Sequence, residues 1–174
     1  MLKANVQKIK RGFIMTHVRE LLINQFQANA DDPGFYAPLS AALQDLTEQD
    51  GGFKVHPEAM TILELVNHLI YWNRTWQHRY RNKDFKSVES IDNDDTFLDH
   101  DNSSFENKKN ELIELLLYWN ELLEESQLDE GVEGFPVDAK WWELISNAAA
   151  HNSYHIGQIV FIRKVIDSKW KSDM

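Results

Sequence analysis

The sequence predicts an all-α protein, a four-helix bundle with a long polar connection between its second and third helices. Apolar residues recur at three- and four-residue steps over four long stretches, the spacing of helices with one buried face. Glycine and proline are scarce, at 7 and 4 of 174 residues, which favours long helices over many short strands. Helices that each carry one apolar stripe bury it best by packing together as a bundle.

The boundaries of the helices follow from these stretches and from the turn residues between them. The predicted segments are a helix over residues 13–29, a short piece over 36–46, a loop over 47–57, and long helices over 58–81, 102–125 and 139–168. Thr61 with Glu64 resembles a capping box, which would place the start of the second long helix a few residues later. Residues 82–101 are acidic but lack the glycine and glutamate of a calcium loop, so they are interpreted as an exposed loop.

The totals limit the classes of protein and partner. A length of 174 residues suits one domain over residues 1–174. The net charge of −10 argues against nucleic acid as a partner, because phosphate binding needs clustered Lys and Arg. The chain has no cysteine, which excludes disulfides, thiolate catalysis and cysteine-bound zinc.

The expected location is the cytoplasm, without a membrane partner. No run reaches the ~18 apolar residues of a membrane span. The basic N-terminus is not followed by the apolar stretch of a signal peptide, so it is interpreted as a solvated turn. Its basic residues are Lys3, Lys8, Lys10 and Arg11.

Two histidines four residues apart lie in the apolar stripe of the last helix. On a helical wheel at ~100° per residue, His151 and His155 fall among Leu144, Ala148 and Ile162, so both rings are expected inside the core. An unpaired buried polar group costs on the order of 1–3 kcal/mol, so both rings need partners. Three explanations remain open: core histidines hydrogen-bonded to other helices, an acid/base pair, or a metal site.

A third histidine favours the metal site. His68 lies beside the apolar stripe of the second long helix, and a bundle can bring that helix beside the last one. Three protein ligands with open positions are the pattern of a catalytic metal centre. Di-iron bundles need Glu-x-x-His pairs, which the histidines of this chain do not form. Zinc proteases need His-Glu-x-x-His, and this chain has Asn152 in the place of the glutamate. Both kinds of site are therefore disfavoured. Haem is also disfavoured, because its two axial ligands lie on opposite faces of the haem and cannot both come from neighbouring residues of one helix.

The segments that carry these histidines resemble the DinB-like (DinB/YfiT) family. HNSYHIGQIVFIRK at 151–164 is similar to the family's C-terminal signature, and TILELVNHLIYW at 61–72 is similar to its second-helix signature. AALQDLT at 41–47 matches more loosely. The resemblance implies a four-helix bundle that holds one divalent metal through three histidines. By match of motif these are His68, His151 and His155.

The resemblance also implies an activity. Some relatives are S-transferases that use bacillithiol, mycothiol or glutathione, and a few are isomerases or hydrolases. We therefore expect a divalent-metal-dependent enzyme, a low-molecular-weight-thiol S-transferase or a related hydrolase. The alternative is a non-catalytic metal-containing bundle that serves as a binding or stress-response module.

The cofactor and partners follow from this expectation. Three imidazoles suit Zn²⁺, Ni²⁺, Cu²⁺ or Fe²⁺, and metal availability often decides among them. Since the chain has no cysteine, the sulfur nucleophile would come from a small thiol cosubstrate and attack a small electrophilic substrate. A homodimer is also open, because spare apolar helix faces often pair.

Three further side chains are candidates for the chemistry. Glu64, one turn before His68, is a candidate general base or partner of a metal ligand, and a capping or surface role is equally open. Gln158 lies close to the face of His155, where it would orient a ligand or water or make a helix–helix hydrogen bond. Tyr154, at the edge of that face, is a candidate proton donor.

Other aromatic and histidine residues have simpler interpretations. Four tryptophans are expected to line an apolar pocket or to belong to the core: Trp72, Trp76, Trp141 and Trp142. Gly157 is expected to permit close helix packing. The remaining histidines are expected in solvent: His17, His56, His78 and His100.

Overall fold

Four helices of 13 to 26 residues form the body of the fold. The structure is a computed structural model that describes residues 17–32 and 34–171. The helices are α1 (Val18–Ala30), α2 (Leu39–Leu43), α3 (Glu48–Gly51), α4 (Ile62–Asn82), α5 (Phe105–Leu122), α6 (Glu125–Leu128) and α7 (Trp141–Ile166). Two 3₁₀ turns, Phe85–Ser87 and Asp94–Phe97, lie between α4 and α5. Within the described residues there is no strand, only isolated β-bridges.

The long helices pack in a closed cycle. α1 and α4 each pack against both α5 and α7, so each long helix has two long neighbours around a shared core. Phe26 of α1 stacks on Trp119 of α5 in that core, with ring centroids 4.9 Å apart, and both side chains are fully buried. This arrangement is a four-helix bundle and confirms the predicted fold class.

The seam between α4 and α7 carries the candidate site. Tyr80 near the end of α4 contacts Trp141 at the start of α7, with ring centroids 5.4 Å apart. His68, earlier in α4, contacts His155, later in α7, at 4.7 Å. Residue numbers therefore rise along one helix as they fall along the other, so the two helices run antiparallel.

The capping box predicted for the second long helix is present. The Thr61 hydroxyl accepts from the Glu64 N–H at 3.1 Å, and the Thr61 N–H donates to Glu64 Oε2 at 2.6 Å. The pair satisfies the backbone N–H groups of Thr61 and Glu64, which a helix start otherwise leaves unpaired. α4 accordingly begins at Ile62, which confirms the later start.

Three connections differ from their predictions. The loop predicted over 47–57 contains α3, because Thr47 and Asp50 form a second capping box. The third long helix ends at Leu122, since Leu123 is extended, and α6 follows it. The segment 82–101 is not uniformly exposed, because Thr96 is fully buried against α4.

Some predictions fall outside the described residues. These are the first turn of the predicted first helix, residues 13–16, and the basic residues of the N-terminus. Among the described helices, none is both long enough and apolar enough to cross a membrane.

Candidate metal centre

Three histidine side chains converge at the seam between α4 and α7. Nε2 of His151 lies 3.1 Å from Nε2 of His68 and 3.0 Å from Nε2 of His155. One ligand nitrogen from each of the three rings lies within 4.8 Å of the other two. The spacing of four residues places His151 and His155 one turn apart on the same face of α7. The structure therefore brings together all three residues predicted as metal ligands.

The separations of the nitrogens suit one small cation. Two nitrogens that each lie about 2.0–2.1 Å from an ion are roughly 2.8–3.4 Å apart when the angle at the ion is about 90–110°. The separations of 3.0 and 3.1 Å fall in that range. His151 therefore has the spacing of a shared metal ligand with each of the other two rings, and three such ligands on one divalent ion would leave coordination positions open.

The orientation of His68 is set by the loop above it. Its Nδ1 lies 2.5 Å from the Thr96 hydroxyl, and that hydroxyl donates to the carbonyl of Asn93 at 2.6 Å. A hydroxyl has one hydrogen, so Thr96 must accept from the Nδ1–H of His68. The lone pair of His68 Nε2 consequently faces the centre. Phe97 stacks on the imidazole, with ring centroids 4.0 Å apart and planes 11° apart.

A side chain on α7 orients His155 in the same way. Oε1 of Gln158 lies 2.6 Å from Nδ1 of His155. A carbonyl oxygen only accepts, so Nδ1 carries the hydrogen and Nε2 presents its lone pair to the centre. The Gln158 amide donates to the Tyr154 hydroxyl at 3.3 Å, and the Tyr154 ring packs edge-on against His155 at 4.8 Å.

The three inward nitrogens lack enough hydrogens to satisfy one another. Nε2 of His151 carries at most one hydrogen, yet it faces lone pairs of both His68 and His155. At least one close pair of nitrogens therefore has no hydrogen between its lone pairs. A cation at the centre would attract all three lone pairs at once, which is the second feature that fits a metal ion.

The electrostatic surroundings keep the rings neutral, the form that binds metal. Burial, with the neighbouring imidazoles His155 and His151, lowers the pKa of His68 from 6.5 to about 3. Burial and His155 lower the pKa of His151 to about 4. Burial also lowers the pKa of His155, against an opposing contribution from the hydrogen bond with Gln158. None of the three rings needs to lose a proton at neutral pH before binding.

Two of the other three predicted site residues contact His155, whereas the third makes its polar contacts elsewhere. Gln158 and Tyr154 belong to the hydrogen-bond chain that reaches His155. Glu64 sits at the start of α4, where its carboxylate accepts from Thr61 and lies 3.8 Å from Nζ of Lys54. Its polar contacts among the described residues are thus with the helix cap and with Lys54.

A cleft of about 470 Å³ opens beside His151. Its walls are largely aromatic and include Trp72, Trp76, Phe85 and Phe135, together with Arg79 and Asn93. Two of the four tryptophans thus line the cleft, whereas Trp141 is fully buried in the core. A second hollow of about 460 Å³ lies beside Tyr154 and Gln158. The centre is therefore flanked by space for a ligand on the His151 side.

Several residues of the site were missed by the sequence patterns. Thr96 and Phe97 lie in the acidic connection, where no periodicity marks a residue that faces inward.

The four histidines expected in solvent are indeed exposed. The packing role predicted for Gly157 is wrong, because a Cβ built there would have no neighbour within 4 Å.

Comparison with known proteins places the chain in a family. The family model of the DinB superfamily matches residues 36–159, which include all three histidines of the centre. No curated protein matches the sequence significantly. The crystal structure of the DinB-like protein YjoA from Bacillus subtilis is similar, with a TM-score of 0.66 and 12% identity, over 88% of this chain and 96% of that one. This likeness establishes the fold alone. Because the family model spans most of the sequence, the chain belongs to the DinB superfamily.

Proposed function

We propose that His68, His151 and His155 bind one divalent metal ion, and that the centre transfers a small thiol, through its sulfur, to an electrophilic substrate. The main support is the convergence of three Nε2 atoms, two of them on rings whose Nδ1–H donates to Thr96 or Gln158. Fixed tautomers of this kind are typical of histidines that bind metal. Metal dependence and transfer together form the proposal.

The chemistry would be divided between the ion and the chain. A divalent cation held by three neutral imidazoles keeps its full charge, which lowers the pKa of a thiol or water at its open positions. The chain has no cysteine, so a sulfur nucleophile enters as a cosubstrate. In the transfer, a carbon–sulfur bond forms as the bond from that carbon to its leaving group breaks. The thiol proton passes to solvent.

The residues around the centre would position these reactants. Thr96 and Gln158 hold the rings of His68 and His155 in place. The aromatic walls of the cleft beside His151 would offer an apolar surface to an organic cosubstrate. Tyr154 is 64% exposed, and its hydroxyl hydrogen remains free to donate when the hydroxyl accepts from Gln158. It would serve as a proton donor to a leaving group.

A turnover assay tests the proposal. Metal-loaded protein is mixed with a low-molecular-weight thiol and a chromogenic haloarene, and halide displacement is followed by absorbance. We expect turnover above the uncatalysed rate, loss of turnover in His155→Ala, and retention in His78→Ala. His78 is the matched control because it is an exposed histidine on the same helix as His68.

The assay also separates transfer from the competing functions. Ester hydrolysis without any thiol would favour the related hydrolase, in which water is the nucleophile. Stoichiometric metal binding with neither transfer nor hydrolysis would contradict the enzyme and support a binding or stress-response module.

A further inference from the structure

Building on the proposed function, we infer that Arg79 forms an anion-binding subsite in the cleft beside His151. The substrate or cosubstrate of the metal centre would then be an elongated molecule with a carboxylate or phosphate at the end remote from the metal.

Arg79 is a buried cation that has no anionic partner in the part of the chain that the structure describes. Its side chain is 4% exposed, and no carboxylate of the described residues lies within 4.0 Å of it. Lys108, which is 3% exposed, instead bonds to the carboxylates of Asp99 and Asp101. Burial lowers the pKa of Arg79, so its charge is held at a cost in solvation. A bound anion would offset that cost.

Most hydrogen-bond donors of this guanidinium have no partner in residues 17–32 and 34–171. Its Nη2 donates to the carbonyl of Val88 at 3.3 Å, and this is its hydrogen bond among the described residues. Its Nε is buried and has no partner within the same residues. A guanidinium has five N–H donors in one plane, arranged to bind a carboxylate or phosphate through two hydrogen bonds.

Aromatic rings hold the guanidinium in position. Its central carbon lies 4.2 Å from the ring centroid of Phe85 and 5.2 Å from that of Trp76. Such stacking stabilises the cation but leaves the N–H groups at its edges free for another ligand. The subsite is therefore ordered before an anion binds, which reduces the entropy lost on binding.

The cleft connects this cation to the metal centre. Arg79 and His151 line the same cleft, together with four aromatic side chains. Trp76, beside the guanidinium, follows His68 by eight residues in α4, a rise of about 12 Å at about 1.5 Å per residue. A ligand that fits would place its metal-binding atom near the three histidines, an apolar body along the tryptophans, and an anion at Arg79.

Two thiols of equal length test the subsite. Cobalt-substituted protein is titrated with a straight-chain ω-mercaptocarboxylic acid about 12 Å long and with the matching ω-mercapto alcohol, and the thiolate-to-cobalt absorption measures binding. We expect the acid to bind roughly 10- to 100-fold more tightly, since a hydrogen bond between two charged groups is stronger than one to a neutral hydroxyl. An ω-mercaptoalkyl phosphate, titrated alongside, shows which anion is preferred.

Variants of two arginines on one helix complete the design. Arg79→Met should remove the preference for the acid and leave the affinity for the alcohol unchanged, whereas Arg79→Lys should retain part of the preference. Arg81→Met is the matched control, because Arg81 is exposed and bonds to the hydroxyl of Tyr118. Should Arg79→Met fail to fold, the Arg79→Lys protein still measures the loss of the planar donor pair.

The outcomes separate the subsite from the metal chemistry. Equal affinities for acid and alcohol in the wild-type protein would overturn the subsite, as would a preference that persists in both Arg79 variants. If neither thiol changes the cobalt spectrum, the proposed thiol chemistry fails. A straight-chain carboxylate without a thiol then tests whether Arg79 binds an anion. A melting temperature raised by that carboxylate in wild type but not in Arg79→Met would uphold the subsite. No such rise would overturn it.

Discussion

The ring nitrogens that point away from the three-histidine centre determine which nitrogens point into it. Thr96 and Gln158 each accept a hydrogen from Nδ1, of His68 and His155 respectively. Both rings are thereby held with Nε2 inward, in the tautomer that can bind a metal. A proposed metal affinity at this centre thus depends on two side chains that would not touch the ion.

Removal of one of these acceptors should weaken metal binding. Thr96→Val keeps the shape of the side chain but leaves the Nδ1–H of His68 unpaired, so we expect metal affinity to fall by about 10- to 100-fold. Thr96→Ser keeps the hydroxyl and should stay close to wild type. Competition with a chromogenic chelator measures both affinities. Wild-type affinity in a folded Thr96→Val protein would disprove this role of Thr96.

Only some residues of the three-histidine centre could be predicted from the sequence. The helical period marks His151 and His155 as neighbours on one face, and the apolar stripe marks His68 as inward. Thr96 contacts His68 from 28 residues away, within a connection that has no period. Its role depends on how the loop folds over α4, which local patterns do not encode. The free donors of Arg79 likewise become visible only once its neighbours are placed.

At the scale of the helices, α4, α5 and α7 are joined by a buried polar network next to the histidines. Asn73 of α4 donates to Asn152 of α7 at 2.9 Å and accepts from the indole N–H of Trp119 of α5 at 3.1 Å. Asn152 directly follows His151 in the chain. Satisfied buried networks fix one packing arrangement, so this network holds the two helices that carry the histidines in register.

The start of α4 provides a test of the role of Glu64. Gln is as suitable as Glu at this position of a capping box, so Glu64→Gln should keep both the free energy of unfolding and the turnover near wild type. Glu64→Ala loses the box and should cost about 1 kcal/mol. Urea unfolding and the thiol-transfer assay measure the two quantities. A stable Glu64→Gln protein without turnover would instead establish Glu64 as a base in the reaction.

The long helices and the short α2, which lies within the piece predicted over 36–46, were predictable, whereas α3 and α6 were not. Four apolar stripes of many residues specify the bundle, and Thr61 with Glu64 marks the start of α4. α3 and α6 each have four residues, which is too short for a periodic pattern. They depend on local caps such as Thr47 with Asp50, and on the helices against which they pack.

Across the whole molecule, the buried histidines link folding to pH. The folded chain holds His68 with a pKa of about 3 and His151 with a pKa of about 4, whereas the ordinary value is 6.5. At a pH between the folded and the ordinary pKa values, the unfolded chain binds more protons at these two rings than the folded chain does. Their contribution to stability is therefore fully present above about pH 6.5 and is lost as the pH falls toward about 4.

The metal-free protein should accordingly lose stability on mild acidification. We expect its free energy of unfolding, measured with urea and a chelator, to decrease between about pH 7 and about pH 5. His68→Leu should lose less over the same interval, because one of the rings that must remain neutral is gone. His78→Ala, which alters an exposed ring, should follow the wild type. Identical losses in wild type and His68→Leu would show that burial of His68 does not govern this dependence.

The metal content of the purified chain tests the three-histidine centre most directly. After loading with Zn²⁺ and removal of free metal, elemental analysis should find about one ion per wild-type chain. His78→Ala should retain that ion, and His155→Ala should lose it while remaining folded by circular dichroism. A wild-type chain without a stoichiometric ion, or a His155→Ala chain that keeps it, would contradict the centre.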